Sequence, residues 1–133
     1  MNATPHGERT LTELDHLRLT KLVDPKSHPA LEALLDLTDV VSSREVAADV
    51  VTMNSQVEVV DEQSGQRQKL TVCYPPDAQP SAGLVSVLSP IGTGLLGTRL
   101  GTVATWQTPH GDECAARVEA ILFQPEASGD YTR

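Results

Sequence analysis

The sequence predicts an α+β chain: a short antiparallel helical hairpin, then an antiparallel sheet of about five strands carrying one short helix. Three observations lead there. Leucines recur at helical spacing before Asp49, apolar and polar residues alternate after it, and Gly, Pro, Asn and Asp punctuate the alternating runs.

In chain order, Thr10-Leu11-Thr12-Glu13 has the form of a capping box, and Leu11, Leu14, Leu17 and Leu22 follow at helical spacing, with Arg18 interrupting the stripe. This predicts a first helix over Leu11–Val23, stopped by Asp24-Pro25. Ser27-His28-Pro29 starts a second, with Ser27 as cap and Pro29 in the first turn, and Leu31, Leu34, Leu35, Thr38 and Val41 form one face. The pair makes a coiled-coil arm within residues 1–49, and a further capping box, Ser42-Ser43-Arg44-Glu45, marks a brief helical turn or bend.

Residues 50–133 read as the sheet. Gln56–Asp61 alternates with Val57 and Val59 on one face, Glu62-Gln63-Ser64-Gly65 is a turn, and Lys69–Tyr74 alternates through Leu70, Val72 and Tyr74. A proline-rich loop, Pro75–Gly83, leads to a strand at Leu84–Leu88, a short helix near Ile91–Leu100, and a final hairpin of Thr102–Gln107 with Glu113–Phe123. The hairpin turn is Thr108-Pro109-His110-Gly111-Asp112.

Composition narrows the function. The 133 residues make one domain, or one with an appendage, with a modest core. No apolar run reaches membrane-spanning length and Met1–Arg9 lacks the apolar stretch of a secretory signal, so a cytoplasmic location is expected and the sequon Asn2-Ala3-Thr4 carries no weight. The net charge is −8, spread evenly over residues 1–50 and 51–133 without a Lys/Arg cluster. That argues against direct nucleic-acid binding, which needs concentrated positive charge, and the few aromatics offer no stacking platform. An acidic surface suits a basic groove on a protein partner. Cys73 and Cys114 are too few for a disulfide framework or a zinc site and read as buried free thiols in strands.

Gly92-Thr93-Gly94-Leu95-Leu96-Gly97 satisfies the GxGxxG dinucleotide pattern, and Asp112 and Glu113 fall near the expected distance for a ribose-binding acid. The surroundings reject that reading. Gly101 closes the helix after about two turns, and the strand beyond the Thr108–Asp112 turn returns antiparallel, whereas a parallel crossover needs a dozen or more residues. The glycines read instead as caps and turn residues.

Val51-Thr52-Met53-Asn54-Ser55, Val87-Leu88-Ser89-Pro90-Ile91-Gly92, Leu95-Leu96-Gly97, Leu100-Gly101 and Phe123-Gln124-Pro125-Glu126-Ala127-Ser128-Gly129-Asp130-Tyr131 together closely resemble the bacterial Rnk family, the regulators of nucleoside diphosphate kinase. The wider group is the C-terminal domain family of the Gre transcript-cleavage factors. The resemblance covers residues 49–133 by their identities and the helical hairpin by architecture alone. It implies an FKBP-like C-terminal domain, docking beside the secondary channel of bacterial RNA polymerase in competition with Gre-type factors, and an influence on nucleoside diphosphate kinase that is direct or transcriptional. In the Gre group the loop before the short helix meets a coiled-coil rim on the polymerase, and it maps onto Leu88, Ser89, Pro90 and Ile91. That loop often carries an acid before Ser-Pro, where this chain has Leu88, so the contact is more apolar here. Ser89-Pro90 reads equally as a helix cap and first-turn proline.

A Gre factor also presents closely spaced acids at the tip of a long coiled coil to help bind a catalytic Mg²⁺. The first helix here, about 13 residues, spans only about 20 Å, and the arm tip offers the single carboxylate of Asp24 beside Lys26. Mg²⁺ recruitment needs several hard oxygen ligands on a mount of adequate reach. The chain is therefore expected to be no enzyme and to use no cofactor or metal. His6, His16, His28 and His110 lack metal-ligand spacing, Asp61, Glu62, Asp112 and Glu113 sit at turns, and Ser86, Ser89 and Thr93 have no His and acid nearby in sequence. The alternative function is a prolyl isomerase, which requires Tyr74, Trp106, Phe123 and Tyr131 to converge on one pocket; Trp106 and Phe123 read more simply as core residues on paired strands.

Overall fold

The computed structural model describes residues 9–24, 26–108 and 110–129. The sequon, His6, Pro25, Pro109 and Tyr131 lie outside the described residues. β1 (Thr10–Thr12) runs directly into α1 (Glu13–Leu22), and a turn leads to α2 (Pro29–Leu37), which runs into β2 (Asp39–Val41). Then come β3 (Gln56–Asp61), β4 (Arg67–Cys73), β5 (Leu84–Ser86), α3 (Pro90–Leu95), β6 (Val103–Gln107) and β7 (Glu113–Phe123). Short 3₁₀ turns occupy Pro75–Asp77, Pro80–Ala82 and Glu126–Ser128.

The helical segment differs from its sequence reading at both ends. The cap of α1 is Thr12, not Thr10: the Thr12 hydroxyl accepts from the Asp15 amide at 3.0 Å, and Leu11 lies in β1. The second helix starts behind His28 rather than Ser27 and stops at Leu37. Thr38 and Val41 therefore leave the helical face, and β2 pairs with β1 in parallel, Leu11 opposite Val40. The Ser42–Glu45 capping box closes a single turn, its hydroxyl donating to the Glu45 carboxylate at 3.0 Å.

The large sheet has the order β5-β4-β3-β7-β6. β3 pairs antiparallel with β4 and β7, and β6 with β7, as the alternation requires. β5 breaks the pattern by pairing parallel to β4, because the Pro75–Gly83 loop carries the chain back only as far as Thr71, beside the last three residues of that strand. Register shifts between Gln56 and Val57 and between Glu58 and Val59 bend β3 against β7, the usual effect of bulges. One sheet face is buried through Val57, Val59, Leu70, Val72, Ala104, Ala116 and Val118. On the opposite face Arg67 bridges Glu58 at 3.3 Å and Arg117 bridges Glu62 at 3.2 Å. Such solvated pairs contribute about 0–1 kcal/mol each. The Asp61 carboxylate accepts the Ser64 and Gln63 amides, which hold it below the usual carboxylate range and fix the β3–β4 turn.

Leu11, Leu19, Leu31 and Leu35 belong to the same buried cluster as Val51, Met53, Val57, Leu95 and Leu96, so the helices close over the sheet's core. Trp106, which pairs with Cys114 across β6 and β7, and Phe123 are only half-buried. Cys73 is buried and Cys114 half-buried, both free thiols in strands. Burial pushes the Cys73 thiol up, away from nucleophilic use.

Candidate functional site

The Leu88–Ile91 loop is held rigidly by hydrogen bonds to its own neighbours. The Ser89 amide donates to the Ser86 carbonyl at 3.0 Å, and the Ser89 hydroxyl donates to the same oxygen at 2.6 Å. Ser89 Oγ also caps α3 by accepting the Gly92 amide at 3.2 Å, with Pro90 at the first helical position. The Leu88 amide donates to Ser86 Oγ at 3.0 Å, and the Thr93 hydroxyl to the Val87 carbonyl at 2.7 Å. Pro90 is left exposed, while Leu88 and Ile91 are half-buried against the core.

The fingerprint glycines have structural uses, although two differ from the cap-and-turn expectation. α3 is only six residues long, Pro90–Leu95, and contains both Gly92 and Gly94. A Cβ on Gly92 would stand 2.0 Å from the Ser86 carbonyl oxygen, and one on Gly94 3.1 Å from that of Thr105. Their bareness lets α3 lie against the end of β5 and against β6. Gly97 is a turn residue at φ +76. The Arg9 guanidinium covers this helix end, donating to the Thr93 and Leu96 carbonyls at 2.9 and 3.0 Å.

This packing opens a groove of about 540 Å³ between α2 on one side and α3 with β6 on the other. Leu88 and Pro90 form its lip, Trp106 lies beneath, and Leu34 and Leu37 come from the facing helix. Leu37 is 50 % exposed. Of the expected leucine face of α2, Leu31 and Leu35 enter the core and Leu34 packs at its edge; Leu31 and Leu34 also line the groove, where Leu37, Ala30 and Ala33, outside the expected face, join them. Sequence reading missed this second face, although an apolar arc wider than one core contact needs was its visible sign.

Four expected site residues thus share one loop, of which Leu88 and Pro90 reach the groove while Ser89 serves the cap. Ile91 faces a smaller cleft beside Val59 and Trp106. Asp24 and Lys26 are exposed on the turn between α1 and α2, outside the groove lining, although Ser27 and His28 beside them reach it. Asp24 serves its own turn, Oδ1 accepting the Lys26 amide at 3.1 Å and Oδ2 the Ser27 hydroxyl at 3.3 Å. Asp24→Ala should consequently cost about 0.5–1.5 kcal/mol in urea unfolding; a neutral result would show that these bonds are made equally well to water.

Among the described residues no group of three or more His, Cys, Asp or Glu side chains is placed to hold a metal ion. His16 instead joins the helices through the Leu35 carbonyl at 3.0 Å, and His28 accepts the Asp24 amide at 3.2 Å. No described helix is long and apolar enough to cross a membrane. Of the aromatic residues an isomerase pocket would gather, Trp106 lines the groove, while Tyr74 lies beside Asp15 and Arg18 and Phe123 ends β7.

Residues 46–123 match the family model for the C-terminal domain of the transcription elongation factors GreA and GreB. The regulator of nucleoside diphosphate kinase of Escherichia coli strain K12 is 35% identical over 127 residues, covering 91% of this chain and 93% of the relative. GreA of Solidesulfovibrio magneticus is 29% identical over 75% of this chain, which spans 61% of that longer factor. Among solved structures, a GreA/GreB elongation factor from Nitrosomonas europaea superposes with a TM-score of 0.69 at 34% identity, covering 86% of this chain and 99% of that one. Gfh1 of Thermus thermophilus, at 24% identity and a TM-score of 0.51, shares the fold. The matched span takes in the five-stranded sheet and α3, and the chain belongs to the regulators of nucleoside diphosphate kinase, Rnk, within the GreA/GreB C-terminal group.

Proposed function

We propose that the chain is a non-enzymatic transcription regulator that docks beside the secondary channel of bacterial RNA polymerase, competes there with Gre-type factors, and alters the level or activity of nucleoside diphosphate kinase. In this reading it works in the cytoplasm, with the helices of residues 1–49 as an arm on a Gre-like domain of residues 50–133. The carrying observation is the rigid Leu88–Ile91 loop at the lip of the apolar groove. A loop whose polar groups are already paired presents Leu88 and Pro90 at little ordering cost, which favours binding. Family membership supports the polymerase as partner, and the name of the Escherichia coli relative supports the kinase as the regulated enzyme. The acidic charge of −8 favours a basic partner surface.

The test is binding of the purified chain to RNA polymerase core enzyme with a GreA protein as competitor. Leu37→Asp combined with Pro90→Ala removes exposed groove contacts and should weaken binding by about tenfold or more, near 1.4 kcal/mol. Ile91→Asp is a poor probe because Ile91 packs on the core. Binding that GreA does not displace, or that survives the double change in a folded chain, would move the interface elsewhere.

Transcript cleavage should be absent from arrested elongation complexes supplied with the chain and Mg²⁺. α1 has ten residues, and Asp24, whose oxygens are held by Lys26 and Ser27, is the lone carboxylate at the tip. Cleavage above the polymerase's own rate would overturn the non-enzymatic reading.

A further inference from the structure

Away from the groove, α1 meets the Val50–Ser55 segment through a buried carboxyl cluster that docking does not use. Asp15 is 1 % exposed; its Oδ2 accepts the Met53 amide at 3.1 Å, while Oδ1 has no hydrogen-bond partner. Glu126, on the turn after β7, is buried to 9 % exposure and repels the Asp15 charge, with Oε1 accepting the Thr52 hydroxyl at 2.7 Å. Thr52 in turn bonds Ser55 at 2.9 Å. Arg18 of α1 is the cation of the cluster, and Tyr74, just after β4, lies beside both carboxyls. Burial, reinforced by Glu126, pushes Asp15 up to about 7 against the pull of the Met53 amide, the Thr12 hydroxyl and Arg18. Burial and the same carboxyls push Tyr74 up to about 12.

An ionised Asp15 in this place would bury a charge near a second carboxyl, which the Thr12 hydroxyl and Arg18 offset only in part. A neutral acid group needs fewer donors and avoids the repulsion. Lifting α1 from the sheet would return the side chain to water and to ordinary acidity. We propose that Asp15 is a proton-operated clasp, holding α1 on the Val50–Ser55 segment when protonated and loosening it when the proton leaves. His16 and the Leu35 carbonyl link α1 to α2, the helix that lines the groove. The inference does not depend on which partner the groove takes.

The native value lies above the free value of 3.8, so seating is fully favoured below 3.8 and weakens as pH climbs towards 7. Above that midpoint the effect levels off. Within the window one extra proton on the seated form changes the seated-to-lifted ratio about tenfold per pH unit.

The experiment follows the full-length chain from about pH 5 to about pH 8 by two readouts. One is the carboxyl carbon shift of Asp15; the other is hydrogen-exchange protection of the α1 amides, corrected for the intrinsic pH dependence of exchange. The expected result is an Asp15 midpoint near 7, with α1 opening growing about tenfold per unit up to it. Asp15→Asn should flatten the opening profile, and Glu126→Gln should lower the Asp15 midpoint while keeping an acceptor for Thr52. An Asp15 midpoint near 4, or an unchanged slope in a folded Asp15→Asn chain, would overturn the clasp. If Asp15→Asn does not fold, the wild-type and Glu126→Gln titrations decide alone.

Discussion

Gly92→Ala should destabilise the chain by about 3 kcal/mol or more, although it adds one methyl group to a helix. Helix propensity by itself favours alanine over glycine by about 1 kcal/mol. Sterics reverse that preference. The new carbon would lie 2.0 Å from the Ser86 carbonyl oxygen, 2.8 Å from its carbon and 3.0 Å from Val87 Cα, all of them backbone. Ser86 ends β5, and its carbonyl already accepts both the amide and the hydroxyl of Ser89, so yielding to the methyl would break the α3 cap. Gly65→Ala is the control: it has φ +74 but open space around it, so it should cost only the left-handed backbone penalty, about 1–2 kcal/mol. Urea midpoints of the two variants separate these causes. A Gly92→Ala loss below about 1 kcal/mol would mean that α3 can slide off β5 without strain.

Leu19→Ala should cost about 2–5 kcal/mol, as removal of a fully buried leucine does. Its side chain is 0 % exposed and belongs to the cluster that also holds Met53, Val57 and Leu96, so the loss is felt by helix and sheet together. At about pH 5, where Asp15 is protonated, far-ultraviolet dichroism and the fluorescence of the lone Trp106 should report one coincident transition, shifted to lower urea. Helical signal lost well before the Trp106 signal would show instead that residues 10–41 unfold as a separate unit.

Two strands of the sheet were readable to the residue, whereas the expected Lys69–Tyr74 is observed as Arg67–Cys73. Gln56–Asp61 and Glu113–Phe123 fall where apolar positions alternate between turns, and a slip of one residue would expose Val57, Val59, Ala116 and Val118. The candidate loop was readable as well, because Ser89 and Pro90 are cap residues whatever else they do. Less was visible where long-range pairing decides. The short strands β1 and β2 carry no alternation long enough to announce themselves, and their parallel pairing depends on two helices folding between them. The parallel β4–β5 pair likewise follows from the path of a proline-rich loop.

Local chemistry along the chain was thus sufficient for the α+β class, the strand faces, the α3 cap and the rejection of a nucleotide fingerprint. Those properties rest on neighbours a few residues apart. The groove and the clasp were decided only in three dimensions. Leu37 and Pro90 line one cleft, and Asp15 and Glu126 repel each other in a buried site, although both pairs lie far apart in sequence. A leucine on a helix or an aspartate in its first turn looks the same in sequence whether it faces water or protein. Burial supplies the difference: it leaves one apolar face of α2 uncovered, and it removes from Asp15 the water that would otherwise keep its charge.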